Sequence, residues 1–107
     1  MSELKGKTIA ILVAPLYNEW EFWYPFYRLK EAGATVVVVG EKAGEHYKSK
    51  IGMEAIADKG YTEVHASKLD GLIIPGGFAP DFLRRSKDCL NLVQNIFRVM
   101  TRTEAKK

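Results

Sequence analysis

Three stretches of the chain are apolar almost without interruption: Thr8 to Val13 (TIAILV), Thr35 to Gly40 (TVVVVG) and Leu69 to Ile74 (LDGLII). Continuous β-branched and aliphatic runs of this length predict strands of a parallel sheet buried on both faces, since a strand with one wet face alternates instead. Between the first two runs the spacing changes to that of a helix. Asn18 is a suitable N-cap, Glu21 falls at the third helical position where a capping box places a glutamate, and Tyr17 and Phe22 take the two positions of a hydrophobic staple. Glu19 and Glu21 also put negative charge at the helix end whose dipole favours it. Gly33 is a good C′ residue to stop the helix. Pro25 lies inside it and removes one backbone hydrogen bond, at a cost of about 3 kcal/mol unless the helix bends, so a kink near Glu21 to Pro25 is expected. Residues 8 to 40 thus read as one β-α-β unit with a right-handed crossover.

The polar stretch EKAGEHYKSKIGMEAIAD follows, with Gly44 and Gly52 as turn signals and short alternating segments that predict a small hairpin laid against the main sheet. Tyr61 to Lys68 read as an irregular or short helical approach to the third strand. Pro75, Gly76 and Gly77 end that strand abruptly. A short helix around Asp81 to Arg85 and a longer one from Lys87 to about Thr101 complete the chain, with Leu90, Val93, Ile96, Phe97 and Met100 as the apolar stripe of the second. No internal repeat, linker or low-complexity segment interrupts this order, and 107 residues fit a single domain, residues 1–107.

Composition changes the picture little. Apolar residues make up 47% and charged residues 27%, which is ordinary globular composition. The net charge of +3 (16 − 13) is concentrated late, where Arg84, Arg85, Lys87, Arg98, Arg102, Lys106 and Lys107 face only Asp88 and Glu104. No aromatic residue follows Phe97, so that basic end lacks a stacking platform and reads as a solvated helix face, not a nucleic-acid surface. Nothing reaches the ~18 apolar residues of a membrane span, and the N-terminus shows no signal-peptide h-region. A cytoplasmic protein without nucleic-acid or membrane partners is expected.

The candidate chemistry is sparse. Cys89, the single cysteine, excludes an internal disulfide framework and a multi-cysteine metal site. It sits in KDCLNL near the start of the last helix, where Lys87 and the dipole favour a thiolate, yet in the wrong element to face the PGG turn; it reads as an ordinary helix cysteine. His46 and His65, nineteen positions apart, lack ligand spacing to a second histidine or cysteine, so no metal is expected. Neither a G-x-G-x-x-G nor a G-x-x-x-x-G-K-[ST] loop follows the first strand, and no cofactor is expected. Trp20, Trp23, Tyr24 and Tyr27 crowd one helical face beside a second stripe of Phe22, Phe26 and Leu29. Two aromatic faces exceed what one small core needs, so the first reads as a homo-oligomer contact, with a fully buried cluster as the alternative.

The segments EFWYPFYRLKEAGATVVVVG (Glu21 to Gly40) and LDGLIIPGGFAPDFLRRS (Leu69 to Ser86), with their spacing, resemble the ThiJ/PfpI superfamily, specifically its intracellular-protease-like branch. The resemblance implies a flavodoxin-like α/β fold, mostly parallel with helices on both faces, usually dimeric, with peptidase, glyoxalase or deglycase activity and stress protection. Such sites combine an early acid, the PGG turn and a cysteine in an AICHG-like turn. The acid position aligns with Asn18, flanked by Glu19, and Asn18 cannot take up a proton at neutral pH. Gly76 and Gly77 would supply the anion-facing backbone. The family's nucleophile strand has no counterpart before TRTEAKK, so the expectation is a fold lacking its C-terminal part, no catalytic residue, an apolar LDGLII edge and self-association through it, the aromatic helix or an exchanged C-terminal helix. A catalytically incomplete, oligomeric binding or stress-associated protein is one reading; a fragment of a hydrolase or glyoxalase, or one using Cys89, is the other.

Overall fold

The computed structural model describes residues 3–77 and 79–105. Four parallel strands form the main sheet in the order β5-β2-β1-β6, comprising β1 (Thr8–Leu12), β2 (Thr35–Gly40), β5 (Lys59–Gly60) and β6 (Gly71–Ile73). β1 is the centre. It pairs in register with β2 from Thr8↔Thr35 to Leu12↔Val39, and with β6 from Ile9↔Gly71 to Ile11↔Ile73. The first two apolar runs became strands as expected, and Ile11, Leu12, Val13 and Val39 are fully buried. The third run is shorter than its pattern. Leu69 lies outside the strand, and Asp70 instead closes the ladder at its lower end: its carboxylate accepts the Thr8 N–H at 2.8 Å and its own N–H donates to the Thr8 carbonyl at 2.7 Å.

Two residues that the sequence pattern passed over, Lys59 and Gly60, add β5 beside β2 through Val39↔Lys59 and Gly40↔Gly60. A two-residue strand has no periodicity to detect. The approach to β6 consists of two 3-10 turns, Tyr61–Glu63 and Ala66–Lys68. The hairpin forms its own two-stranded sheet, β3 (His46–Lys48) against β4 (Glu54–Ile56). Tyr47 is buried under it, and its hydroxyl accepts the Glu41 N–H at 2.8 Å, which ties the hairpin to the end of β2.

Helix α1 (Glu19–Glu31) runs unbroken through Pro25. The staple is present, with the Tyr17 and Phe22 rings 5.0 Å apart and both fully buried. Its far end is a Schellman motif: Gly33 N–H donates to Lys30 O and Ala34 N–H to Leu29 O, each at 3.0 Å, with Gly33 at φ 96°. Helices α2 (Ala79–Leu83) and α3 (Lys87–Ala105) follow β6. The buried side of α3 is Cys89, Leu92 and Ile96 with Val93 beside them, whereas Leu90 and Phe97 of the expected stripe are exposed. The helix is therefore rotated so that Cys89 and Leu92 meet the 3-10 turns. The Met100 side chain lies outside the described residues.

Candidate functional site

The loop from β1 to α1 meets the turn after β6 at the carboxyl ends of the central strands, where open α/β sheets place their ligands. Leu16 has φ 60°, an unusual conformation for a branched residue, and it turns the chain so that Tyr17 lies between two other segments. Tyr17 bridges Ser49 in parallel on one side and Gly77 in antiparallel fashion on the other. The short strip Leu16–Asn18 is thus the middle member of a three-part ladder from the hairpin to the PGG turn.

Asn18 caps α1. Its Oδ1 accepts the Trp20 N–H at 3.0 Å and the Glu21 N–H at 3.1 Å, and its own N–H donates to the Gly76 carbonyl at 3.0 Å. The side chain is directed into the helix, not toward the turn. Glu21 does not close the capping box. With the Asn18 N–H already given to Gly76, the Glu21 carboxylate crosses to the turn and accepts the Gly76 N–H at 2.7 Å through Oε1. Gly76 thus exchanges both its backbone groups with the start of α1. Sequence reasoning placed Glu21 correctly at the third helical position but gave it the wrong partner, because a capping box and a contact 55 residues away look identical in one dimension.

Gly77 is irreplaceable on two grounds. Its φ is 82°, and a Cβ there would stand 2.8 Å from the Leu16 carbonyl oxygen and 2.9 Å from the Asn18 nitrogen. At Gly76 a Cβ would meet Glu21 Oε1 at 2.6 Å. The turn can come this close to the carboxylate because neither position carries a side chain.

Glu19, one turn-face away, holds the hairpin. The Ser49 hydroxyl donates to its carboxylate, a bond that keeps Glu19 below the usual carboxylate range, and the Ile51 N–H donates to Oε2 at 3.2 Å. Tyr17 completes the arrangement: its hydroxyl donates to the Met53 carbonyl at 2.8 Å and accepts from Trp23 Nε1 at 3.1 Å, and burial pushes its pKa up.

The other candidates lie elsewhere. Cys89 is 2% exposed, and its thiol is hydrogen-bonded to Tyr61. Burial raises its pKa above the ordinary thiol value, the opposite of an activated nucleophile. It lines an apolar groove of about 180 Å³ with Leu12, Ile74, Leu83 and Val93. His46 pairs with Glu54 across the hairpin, and His65 precedes the second 3-10 turn. Among the described residues no cluster of histidine, cysteine or acidic side chains could hold a metal. No helix among them is long and apolar enough to cross a membrane. Trp20, Tyr24 and Tyr27 are 78%, 69% and 62% exposed, which answers the alternative of a buried cluster. Trp23 stacks on Tyr27 at 5.7 Å, and these four with Arg28 and Glu31 line a groove of about 300 Å³.

The sequence model of the DJ-1/PfpI family matches residues 7–104, which includes every element of this site. The chain belongs to the DJ-1/PfpI family. Among curated relatives, General stress protein 18 of Bacillus subtilis is 38% identical over 80 residues, and Protein/nucleic acid deglycase 2 of Escherichia coli is 35% identical over 80. Each alignment takes in 74% of this chain and 46% of the relative. The chain therefore spans about half the length of the curated DJ-1/PfpI relatives it matches. Among solved structures, a two-domain protein of Anabaena variabilis with DJ-1/ThiJ/PfpI-like and ferritin-like domains superimposes with a TM-score of 0.83 at 41% identity, over 86% of this chain and 27% of that one. The flavodoxin-like α/β fold expected from the resemblance is the fold of the family.

Proposed function

We propose that this chain carries the carboxylate-and-turn half of a DJ-1/PfpI site, with Glu21 in place of Asn18 as the acid, and that with the residues it holds it binds without cysteine-dependent turnover. The observation that carries this reading is the 2.7 Å bond from the Gly76 N–H to Glu21, formed while the only thiol of the chain is buried against Tyr61. Glu21 brings a carboxylate into contact with the PGG turn, whereas the Asn18 side chain is spent on the first turn of its own helix, and this supports Glu21 as the acid. Since Glu21 occupies the Gly76 amide, the Gly77 N–H, which no acceptor among the described residues takes, is the donor left for an oxyanion. Cys89 does not serve this site, because its thiol is closed in by Leu12, Leu83 and Tyr61 and disfavoured as a thiolate.

Self-association fits this reading. The exposed face of Trp20, Tyr24 and Tyr27 is large for one helix, and the edge of β6 away from β1 has no partner strand among the described residues. A role as an oligomeric, stress-associated binding protein of the cytoplasm is supported by the resemblance and by the name of one relative. The second reading is a peptidase, glyoxalase or deglycase in which these residues form part of a longer DJ-1/PfpI protein; the span of about half of each relative favours it. Turnover of methylglyoxal and of a model peptide by the chain and by its Cys89→Ser variant separates the two. No turnover is expected from either; activity abolished by Cys89→Ser would overturn the first reading.

A further inference from the structure

Ser49 is the one buried polar residue among the described core, 2% exposed, and it lies in the hairpin, outside the Glu21–Gly76 contact. Its hydroxyl, N–H and carbonyl gather the hairpin tip, and its two chain neighbours bond the strip that carries the site. Its hydroxyl accepts the Met53 N–H at 2.9 Å and the Ile51 N–H at 3.3 Å while donating to the Glu19 carboxylate. Its backbone N–H donates to Met53 O at 2.8 Å, and its carbonyl accepts the Gly52 N–H at 3.1 Å. The hairpin tip is thereby folded around one hydroxyl, and that hydroxyl is fastened to the first turn of α1.

The flanking residues carry the fastening into the site. Leu16 N–H donates to Lys48 O at 2.8 Å, and Lys50 N–H donates to Tyr17 O at 3.1 Å, so the strip Leu16–Asn18 is held from the hairpin side on both flanks of Ser49. From the other side it is held by Gly76 and Gly77. Leu16 is in a left-handed conformation that persists only when its surroundings over-determine it. The Leu16 carbonyl and Asn18 nitrogen in turn stand within 3 Å of where a Gly77 Cβ would be, so any relaxation of the strip moves the surface on which the PGG turn rests. The two carboxylates of the first turn of α1 divide the work: Glu19 holds the hairpin, Glu21 holds the turn.

We propose that Ser49, through Glu19 and the Leu16–Asn18 strip, is a positioning residue that sets the Glu21–Gly76 contact. This rests on the assignment of Glu21 and Gly76 as the site. Ser49→Ala removes the acceptor of two hairpin amides and the donor to Glu19 without adding bulk, whereas Ser49→Thr keeps the hydroxyl.

Amide hydrogen exchange of the whole chain reads the effect directly. In Ser49→Ala the Gly76 amide is expected to exchange on the order of tenfold faster than in the unsubstituted protein, the consequence of losing one well-made hydrogen bond's local protection. The Ile11 amide in the central strand reports global stability and is expected to change far less, and Ser49→Thr is expected to return Gly76 toward its original rate. A Gly76 rate unchanged in Ser49→Ala, or changed only in step with Ile11, overturns the positioning role. Glu21→Ala, which removes the acceptor, separates that failure from failure of the site itself. A Gly76 amide that responds to Glu21→Ala but not to Ser49→Ala sinks only the positioning role, whereas one that responds to neither sinks the site assignment as well.

Discussion

Glu21 and Gly76 are 55 residues apart in sequence and joined by a 2.7 Å hydrogen bond from the Gly76 amide to the glutamate's Oε1. The same glycine's carbonyl accepts the Asn18 N–H, so the start of α1 and the turn after β6 are locked by two antiparallel bonds. The proposed site rests on that lock, since it is the ground for proposing Glu21 as the acid and the Gly77 amide as the free donor.

Asn18 caps α1 through the Trp20 and Glu21 amides. Asn18→Ala is expected to lower stability by about 1 kcal/mol, the usual loss for an N-cap, while Asn18→Asp stays within about 0.5 kcal/mol because aspartate caps equally well. Urea unfolding followed by tryptophan fluorescence measures both.

Gly77→Ala forces a left-handed alanine whose Cβ meets backbone atoms on either side. Backbone cannot swing aside as a flexible side chain would. A loss on the order of 3 kcal/mol is expected, visible as a lower urea midpoint with an unchanged slope.

Phe22 anchors α1 to the sheet, with Tyr17 and Trp23 rings at 5.0 and 4.8 Å and no exposed surface. Truncation to alanine is expected to cost about 3 to 5 kcal/mol. Retention of near-native stability in Phe22→Ala would show that α1 packs otherwise.

Alkaline stability follows from the buried tyrosines. Burial first, then the hydrogen bond to Glu45, push Tyr47 from its ordinary 10.0 up to about 12. Burial likewise raises Tyr17 and Tyr61. The folded state holds these protons after the unfolded chain has begun to release them, so their contribution is complete below pH 10 and is lost as the pH rises toward 12. Urea midpoints are expected to fall across that window, and less steeply in Tyr47→Phe.

The exposed face of α1 predicts association. Static light scattering at micromolar concentration is expected to show more than one copy per particle, and the double substitution Trp20→Ala, Tyr24→Ala to shift it toward monomer with little change in unfolding, since both side chains are mostly exposed. A monomer before substitution contradicts the interface.

Much of the fold was legible in local pattern. The runs at Thr8 and Thr35, the Tyr17–Phe22 staple and the Gly33 stop are short-range signals that tertiary packing had no reason to override. β5 and the orientation of α3 were not, because a two-residue strand is defined by its neighbour and the rotation of a helix by what packs beneath it. The site was half visible. Gly76 and Gly77 could be singled out from the PGG turn, and the family's acid position aligned with Asn18; that Glu21 reaches the turn was not legible, since a side chain at an N-terminal position can satisfy its own helix or a distant loop and only the register of the loop decides.

The most direct test is hydrogen exchange of the Gly76 amide, read by ¹H–¹⁵N correlation spectroscopy, in the unsubstituted protein, in Asn18→Asp and in Glu21→Ala. Exchange on the order of tenfold faster in Glu21→Ala, and unchanged in Asn18→Asp relative to the Ile11 amide, is the expected result. A Gly76 rate unchanged in Glu21→Ala would contradict the assignment of Glu21 as the carboxylate of the site.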